Sequence, residues 1–313
     1  MTEFLIGCGG WAYFGVPGLR PLEAYAKAFN FVEVNSTFYR IPNLQLVGSW
    51  RQRVSSDFEF AVRCHKDVTH RYQLEPVQEA FQALNTMIKI CHVLDSEFLV
   101  LETPPKIHFG PQKTESVRNL FESVSLKGIG LVWEVRRGKG VPIPANLVAL
   151  MQDYGVVHCV DLSDESPATE SDTVYSRLFG KGQRNIYQFT DEELLEVDKK
   201  IAKRDPERVA VSFHNVKMYK DAARFKLYKQ TGRFPSVTGA EGQKSLRKVL
   251  IEDARFPATK DELIRSQGWK VIDLTGDTRV HAHTLLDKLP DTQFKNVKEV
   301  LHHSAEILKQ LQC

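Results

Sequence analysis

The chain has 313 residues, of which 42% are hydrophobic and 26% are charged, and its formal net charge is +3. That length suits one α/β barrel with an appendage or two ordinary domains, and the mildly basic charge permits a phosphate-bearing partner without requiring one. No apolar stretch reaches the roughly 18 residues of a membrane-spanning helix, and the start does not resemble a signal peptide, so we expect a cytoplasmic protein without membrane contact.

Short apolar runs alternate with amphipathic stretches along most of the chain. Such runs are typical of parallel strands that helices cover on both faces, and eight of them predict an α/β fold, a (β/α)8 TIM-type barrel, over residues 1–235. The predicted strands are Phe4–Cys8, Phe31–Asn35, Phe58–Cys64, Phe98–Leu101, Gly128–Trp133, Val156–Val160, Val174–Phe179 and Arg208–Phe213. The predicted helices are Leu22–Phe29, Val77–Leu94, Thr114–Ser123, Pro144–Tyr154, Asp191–Lys203 and Ala222–Thr231.

The alternation ends near Pro235, and residues 239–242 have the composition of a flexible joint. The remainder predicts a small all-α C-terminal module over residues 240–313. Its helical patches are Lys260–Gln267, His281–Lys288 and Val297–Leu311. Lys244, Arg247 and Lys248 recur on one helical face, which is either a solvated surface or a contact for phosphate groups.

Polar side chains follow the predicted strands at their carboxyl ends, which meet at one rim of a barrel. Five of them are candidate ligands of a divalent metal, Zn, Mn or Fe: His65, Glu102, Glu134, Asp161 and His214. Alternatively, these groups pair with Arg63, Arg136 and Arg177 in a structural charge network, because buried charges persist when they are paired.

The second strand ends in a distinctive motif that contains Glu33, Asn35 and Tyr39. These residues, with Glu134, are candidate catalytic groups, since a carboxylate at a strand end can serve as an acid or base. The alternative is that Asn35 and Ser36 cap the following turn while Tyr39 packs beneath it.

A Gly-Lys-Gly segment follows the seventh strand, where barrels often bind phosphate. The candidate phosphate-binding residues are Arg177, Lys181, Arg136 and Lys66. Short segments of this kind also occur in plain loops, so this role remains one of two interpretations.

Aromatic residues interleave with these cations in the first two loops. Trp11, Tyr13 and Phe38 are candidate platforms on which nucleic-acid bases stack. Aromatic residues equally cover the mouth of an apolar pocket, which is the alternative.

The segment Glu33–Pro42 resembles the YecE-like family of barrel proteins, a domain of unknown function. Further matches are Ile6–Trp11, Phe60–Arg63, Val68–His70, Pro104–Pro105, Glu134–Arg136 and Phe213–Asn215. The resemblance implies a barrel over about the first 230 residues and leaves the activity open. Family members tend to carry Gln at the position of Glu102 and Asn at that of His214. The tail from Phe256 to Asp291 resembles a second small helical family of unknown function.

Together these features favour a metal-assisted phosphodiesterase, a nuclease-like hydrolase acting on nucleic acid at the barrel rim. The strand-end carboxylates and imidazoles are similar to those of endonuclease IV-like nucleases, by analogy of fold. In this hypothesis Glu33 is the base, and Arg177 and Lys181 contact the phosphate. The alternatives are a sugar or sugar-phosphate isomerase and a non-enzymatic adaptor that binds nucleic acid or another ligand and recruits a partner protein through residues 240–313.

Overall fold

Eight parallel strands form a barrel, as the alternating apolar runs predict. The structure is a computed structural model and describes residues 2–138 and 140–312. The strands are β1 (Glu3–Cys8), β2 (Phe31–Val34), β3 (Glu59–Arg63), β4 (Phe98–Thr103), β5 (Gly130–Val135), β6 (Val157–Cys159), β7 (Thr173–Leu178) and β8 (Arg208–Phe213). Hydrogen-bonded neighbours follow the order β6-β5-β4-β3-β2-β1-β8-β7, so the carboxyl ends of all eight strands lie at one rim.

The barrel is nearly closed between its sixth and seventh strands. Val160, just after β6, forms a parallel bridge with Ser176 of β7. The main-chain N–H of Arg177 donates to the Val160 carbonyl at 3.1 Å. The Ser176 hydroxyl donates to the same carbonyl at 2.9 Å and accepts the N–H of Leu162 at 3.2 Å, which extends the junction.

Among the described residues, helices follow every strand of the barrel except β6, which leads to β7 without a helix. They are α1 (Pro21–Ala28), α2 (Ser36–Tyr39), α3 (Leu44–Arg51), α4 (Gln78–Leu94), α5 (Pro111–Glu122), α6 (Ala145–Asp153), α7 (Asp191–Ala202) and α8 (Met218–Thr231). The longest of these, α4, buries Ala80, Leu84, Met87 and Cys91, a spacing of three and four residues that produces one apolar face. Helices α2 and α3 were not predicted, because both follow the Glu33 motif in a segment without a clear apolar period.

A buried core fills the barrel, and it places the functional candidates. Phe31, Ala61, Val100, Val132 and Tyr175 belong to this core. Side chains two residues apart on a strand point to the same face. The residues two positions further on therefore face the interior at the rim: Glu33, Arg63, Glu102, Glu134 and Arg177.

The described chain divides into two compact units. The first comprises Met1–Leu178 and Lys199–His214, and the second comprises Phe179–Asp198 and Asn215–Cys313. The predicted domain bounds, 1–235 and 240–313, remain a prediction. None of the helices in the described residues has the length and apolar composition of a membrane span.

The C-terminal module combines helices with short strands, whereas the sequence predicted helices alone. Its elements are α9 (Gly242–Asp253), β9 (Ala258–Thr259), α10 (Lys260–Gln267), β10 (Val271–Asp273), β11 (Arg279–His281), α11 (His283–Leu286), β12 (Gln293–Phe294) and α12 (Val297–Gln312). β9 pairs with β12, and β10 with β11, both antiparallel. Strands of two or three residues are too short to show an alternating pattern.

Candidate functional site at the barrel rim

The guanidinium of Arg177 lies at the centre of the rim. It is 1% exposed, and its Nη1 donates to Glu134 and, at 2.7 Å, to Glu102 Oε2. Its Nη2 lies 3.1 Å from Oε1 of Glu33. One buried cation therefore faces three carboxylates and offsets one of their three charges away from water.

Glu102 is the acceptor on which the other arginines converge. Its Oε2 lies 2.6 Å from Nη2 of Arg63, 2.7 Å from Nη1 of Arg177 and 3.2 Å from Nη2 of Arg136. Nε of Arg136 also donates to Glu134 Oε1 at 2.9 Å. We call these six side chains the rim network: Glu33, Glu102, Glu134, Arg63, Arg136 and Arg177.

Glu33 is completely buried and ionised. Burial alone would raise the pKa of its carboxyl, but the positive charge of Arg177, joined by that of His214 once acid protonates the imidazole, holds that pKa well below its ordinary value. The Tyr175 hydroxyl donates to Glu33 Oε2 at 2.9 Å. Burial, followed by the Glu33 charge, raises the pKa of Tyr175 well above its usual range, so the phenol keeps its proton.

His214 lies beside this carboxylate at the end of β8. Its Nε2 is 3.6 Å from Glu33 Oε2 and 2.9 Å from the Ser212 hydroxyl. Its Nδ1 is 3.4 Å from Nδ2 of Asn35. Burial lowers the pKa of His214 in spite of the opposing Glu33 charge, so the imidazole is neutral at pH 7.

Asn35 holds the second-strand motif to its neighbours. Its Nδ2 donates to the Gly9 carbonyl at 2.9 Å, and its Oδ1 accepts from Arg63 at 3.3 Å. The side chain makes no capping bond to α2. A Cβ at residue 9 would lie 2.4 Å from both Asn35 Nδ2 and His214 Nδ1, so glycine permits this close approach.

The mouth of the site carries positive charge. The Arg136 side chain is 43% exposed. The pKa of His70 is lowered, first by burial and then by the charges of Arg63, Arg136 and Lys106, against an opposing effect of Glu102. Lys66 is also exposed, at the start of a five-residue π-helix, Asp67–Arg71, that follows β3.

Three of the four predicted catalytic residues meet at the rim. Glu33 and Glu134 belong to the rim network, and Asn35 bonds to its Arg63. Tyr39 is 65% exposed, and its ring packs edge-on against Phe38 with the centroids 5.0 Å apart.

The five predicted metal ligands do not assemble. Glu102, Glu134 and His214 lie at the rim, but His65 Nδ1 accepts the N–H of Asp67 at 3.3 Å in its own loop. Asp161 accepts the N–H and hydroxyl of Ser163 at 2.9 and 2.6 Å. Across residues 2–138 and 140–312, no three His, Cys, Asp or Glu side chains are placed to share a metal ion. The residues do not fit a resident divalent metal, because the guanidinium of Arg177 lies between the carboxylates. The rim thus contains the charge network that was the alternative interpretation.

The four predicted phosphate-binding residues differ in accessibility. Arg136 and Lys66 are accessible, whereas Arg177 is enclosed by carboxylates. Lys181 is 57% exposed and pairs with Glu193 at 2.8 Å, in the second unit.

Of the three candidate stacking residues, Tyr13 is exposed, at 88%. Phe38 is 8% exposed, and Cζ of Arg63 lies 3.9 Å from its ring centroid, so it is not placed to stack on a base. Trp11 packs edge-on against Trp50, with the centroids 5.4 Å apart.

Sequence reasoning missed Tyr175, Ser212 and Gly9 as members of the site. The period of two residues was a usable signal, because Tyr175 precedes Arg177 by two positions and Ser212 precedes His214 by two. The role of Gly9 depends on contacts with two distant segments, which no local pattern reports.

Comparison with known proteins agrees with this architecture. A model of the family described as "Protein of unknown function DUF72" matches residues 5–233. The UPF0759 protein YecE of Escherichia coli (strain K12) is 28% identical over 118 residues, which are 34% of this chain and only 38% of that protein's length. The crystal structure of a DUF72 family protein from Thermotoga maritima superposes with a TM-score of 0.61 and 18% identity, covering 73% of this chain and 99% of that one.

A DUF72 family protein from Enterococcus faecalis gives a TM-score of 0.58 with 16% identity, covering 74% of this chain and 98% of that one. At such identities the two structures support the barrel fold alone. The family match confirms the resemblance that the Glu33–Pro42 segment indicates. The chain belongs to the DUF72 family, to which YecE-like barrel proteins are related.

Proposed function

We propose that the barrel rim binds a phosphate-bearing ligand, with a nucleic-acid strand as the leading class, and that Arg136 contacts the phosphate. One observation carries this proposal: Arg136 is the accessible guanidinium among three that converge on Glu102. Arg63 and Arg177 are buried and continue to satisfy Glu102 when Arg136 turns away. A partly exposed ion pair contributes about 0–1 kcal/mol, so a phosphate can displace it at small cost.

The surroundings of Arg136 support an anionic ligand. Besides burial, the positive charges of Lys106, Arg63 and Arg136 all lower the pKa of the same imidazole, His70. Lys66 lies exposed after β3, the strand that carries Arg63. Clustered cations attract phosphate groups without reading sequence. Tyr13, which is 88% exposed in the loop after β1, supplies an aromatic face for a base.

A second candidate function, acid–base chemistry on a sugar phosphate, is favoured by the pairing of His214 with Glu33. A neutral imidazole 3.6 Å from an ionised carboxylate can take a proton, and the carboxylate stabilises the imidazolium that forms. The carboxylates of the rim network have lowered pKa values at Glu33 and Glu134, which makes them weak bases at pH 7. His214 is therefore the proposed base in this candidate.

Binding of a fluorescent single-stranded oligonucleotide, followed by anisotropy, tests the leading proposal. We expect Arg136→Gln to weaken binding about tenfold, which corresponds to about 1.4 kcal/mol. The matched control is Arg53→Gln, an exposed arginine between α3 and β3, where the chain enters the opposite end of the barrel. Equal affinities of Arg136→Gln and wild type would contradict the proposal.

The same proteins distinguish the second candidate. Incubation with sugar phosphates, followed by NMR, detects isomerisation. The isomerase candidate would be favoured over the nucleic-acid site if wild type turned over a sugar phosphate, did not bind the oligonucleotide, and lost its turnover in His214→Asn.

A further inference from the structure

A separate cavity in the second unit is lined by four lysines. It has a volume of about 340 Å³, and its charged lining residues are Lys217, Lys220, Lys248, Lys270 and Glu252. Its apolar lining residues are Val237, Val249 and Val271. A volume in this range is that of a site for a small molecule.

Two carboxylates, those of Glu252 and Asp253, neutralise only part of the positive charge of the four lysines. Lys217 Nζ lies 2.7 Å from Glu252 Oε1, and Lys270 Nζ lies 3.3 Å from Glu252 Oε2 and 2.5 Å from Oδ1 of Asp253. Lys248 Nζ donates to the main-chain carbonyl of Thr238 at 2.8 Å, which carries no charge. Lys220 is exposed on the first turn of α8. The cavity therefore has positive charge in excess.

A buried amide donor in the cavity lining points independently to a ligand. Gln188 is 2% exposed, and its Oε1 accepts the N–H of Val271 at 2.9 Å. This bond fixes which end of the amide is oxygen. The Nε2 group is buried and has no hydrogen-bond partner among the described residues. An unsatisfied buried donor costs about 1–3 kcal/mol, which an acceptor in the cavity would recover.

We propose that this cavity binds a compact, multiply charged anion of the phosphate class, a pyrophosphate or a small phosphate ester. Lys220 and Lys248 supply the uncompensated charge, and Gln188 Nε2 donates to a phosphate oxygen. The apolar wall and the small volume favour a small molecule over a polymer. The cavity lies entirely within the second unit, so this proposal is independent of the phosphate site proposed at the rim.

Isothermal titration calorimetry with pyrophosphate at constant ionic strength tests the proposal. All variants are made in the Arg136→Gln background, which weakens the proposed rim site and so reduces its contribution equally in every variant. Gln188→Glu is the most informative change, because it keeps the acceptor for Val271 N–H and replaces the donor with a charged acceptor. Lys220→Gln combined with Lys248→Gln removes the two uncompensated charges. Arg247→Gln, an exposed change on α9 outside the cavity lining, is the control.

We expect both cavity variants to weaken pyrophosphate binding by about tenfold or more, and Arg247→Gln to leave it within about twofold. Unchanged thermal unfolding of Gln188→Glu would show that the loss is not one of folding. Equal losses in all variants, or no binding by the parent protein at about 10 mM pyrophosphate, would overturn the proposal. So would displacement of pyrophosphate by an oligonucleotide at lower concentration than by a small phosphate ester.

Discussion

Arg177 and Glu33 contact each other through the interior of the barrel, with Nη2 and Oε1 3.1 Å apart and both side chains almost completely buried. Their strands, β7 and β2, are separated in the sheet by β8 and β1. The pair is thus a contact across the barrel interior between strands that are not neighbours in the sheet. It ties the stability of the barrel to the electrostatics of the rim.

Arg177→Met should lower the free energy of unfolding by about 3–5 kcal/mol, because it leaves three carboxylates facing one another without their central cation. Urea unfolding followed by circular dichroism measures this. Arg136→Gln, which removes an accessible partner of the same carboxylates, should cost no more than about 1 kcal/mol. Similar losses in the two variants would show that Arg177 is not the centre of the network.

Glu33 should make the fold acid-sensitive. Its ordinary pKa is 4.5, and Arg177 and His214 lower that pKa in the folded state against the effect of burial. Below about pH 4.5 the unfolded state binds more protons than the folded state, so the stabilisation present above that pH is lost progressively as the pH falls. Glu33→Gln should be less stable at pH 7 and should show a shallower loss below pH 4.5. Stability curves that run parallel for the two proteins would contradict this assignment.

His158 should act in a different pH range. Burial lowers its pKa from 6.5 to about 4, with smaller contributions from Arg137 and Arg204, and its Nδ1 accepts the N–H of Ala168 at 2.8 Å. Its neutral form stabilises the fold fully above pH 6.5, and this contribution is lost as the pH falls from 6.5 towards 4. His158→Gln retains an acceptor without the titration, so its thermal midpoint should change less over that interval. If the thermal midpoint of His158→Gln fell with pH as steeply as that of wild type, His158 would be excluded as the source of the pH dependence.

Gly9→Ala should disturb the rim more than the fold. The added Cβ would lie 2.4 Å from Asn35 Nδ2 and from His214 Nδ1, so both side chains must shift. We expect oligonucleotide binding to weaken about tenfold and the unfolding free energy to fall by about 1–3 kcal/mol. Gly15→Ala, where a Cβ meets no atom within 4 Å, is the control and should change neither quantity. Wild-type binding by Gly9→Ala would mean that this close approach is dispensable.

The barrel was predictable because its strands combine apolar composition with a regular alternation. The run Arg208–Phe213 is a strand with the predicted bounds, and the end of β4 at Thr103 is two residues from its prediction. The helix α9 was harder to predict from the sequence, because it begins at Gly242, in a segment whose glycines indicate a flexible joint. Local composition cannot report the packing that stabilises such a helix.

The members of the candidate site were predictable, whereas the sequence left two interpretations of their pairing open. Strand-end position placed Glu33, Glu102, Glu134 and His214 at one rim. Which charges meet depends on the stagger between strands, and that stagger is set by hydrogen bonding between distant segments. Arg177 had two interpretations, a phosphate contact and a partner of the carboxylates, and it lies among the carboxylates, 2.7 Å from Glu102.

The most direct test of the rim proposal is the salt dependence of oligonucleotide affinity for wild type and Arg136→Gln. If Arg136 neutralises a phosphate, the slope of log affinity against log salt should be smaller in the variant by about one, and that of Arg53→Gln should equal wild type. The same slope for Arg136→Gln and wild type would contradict a phosphate contact at Arg136.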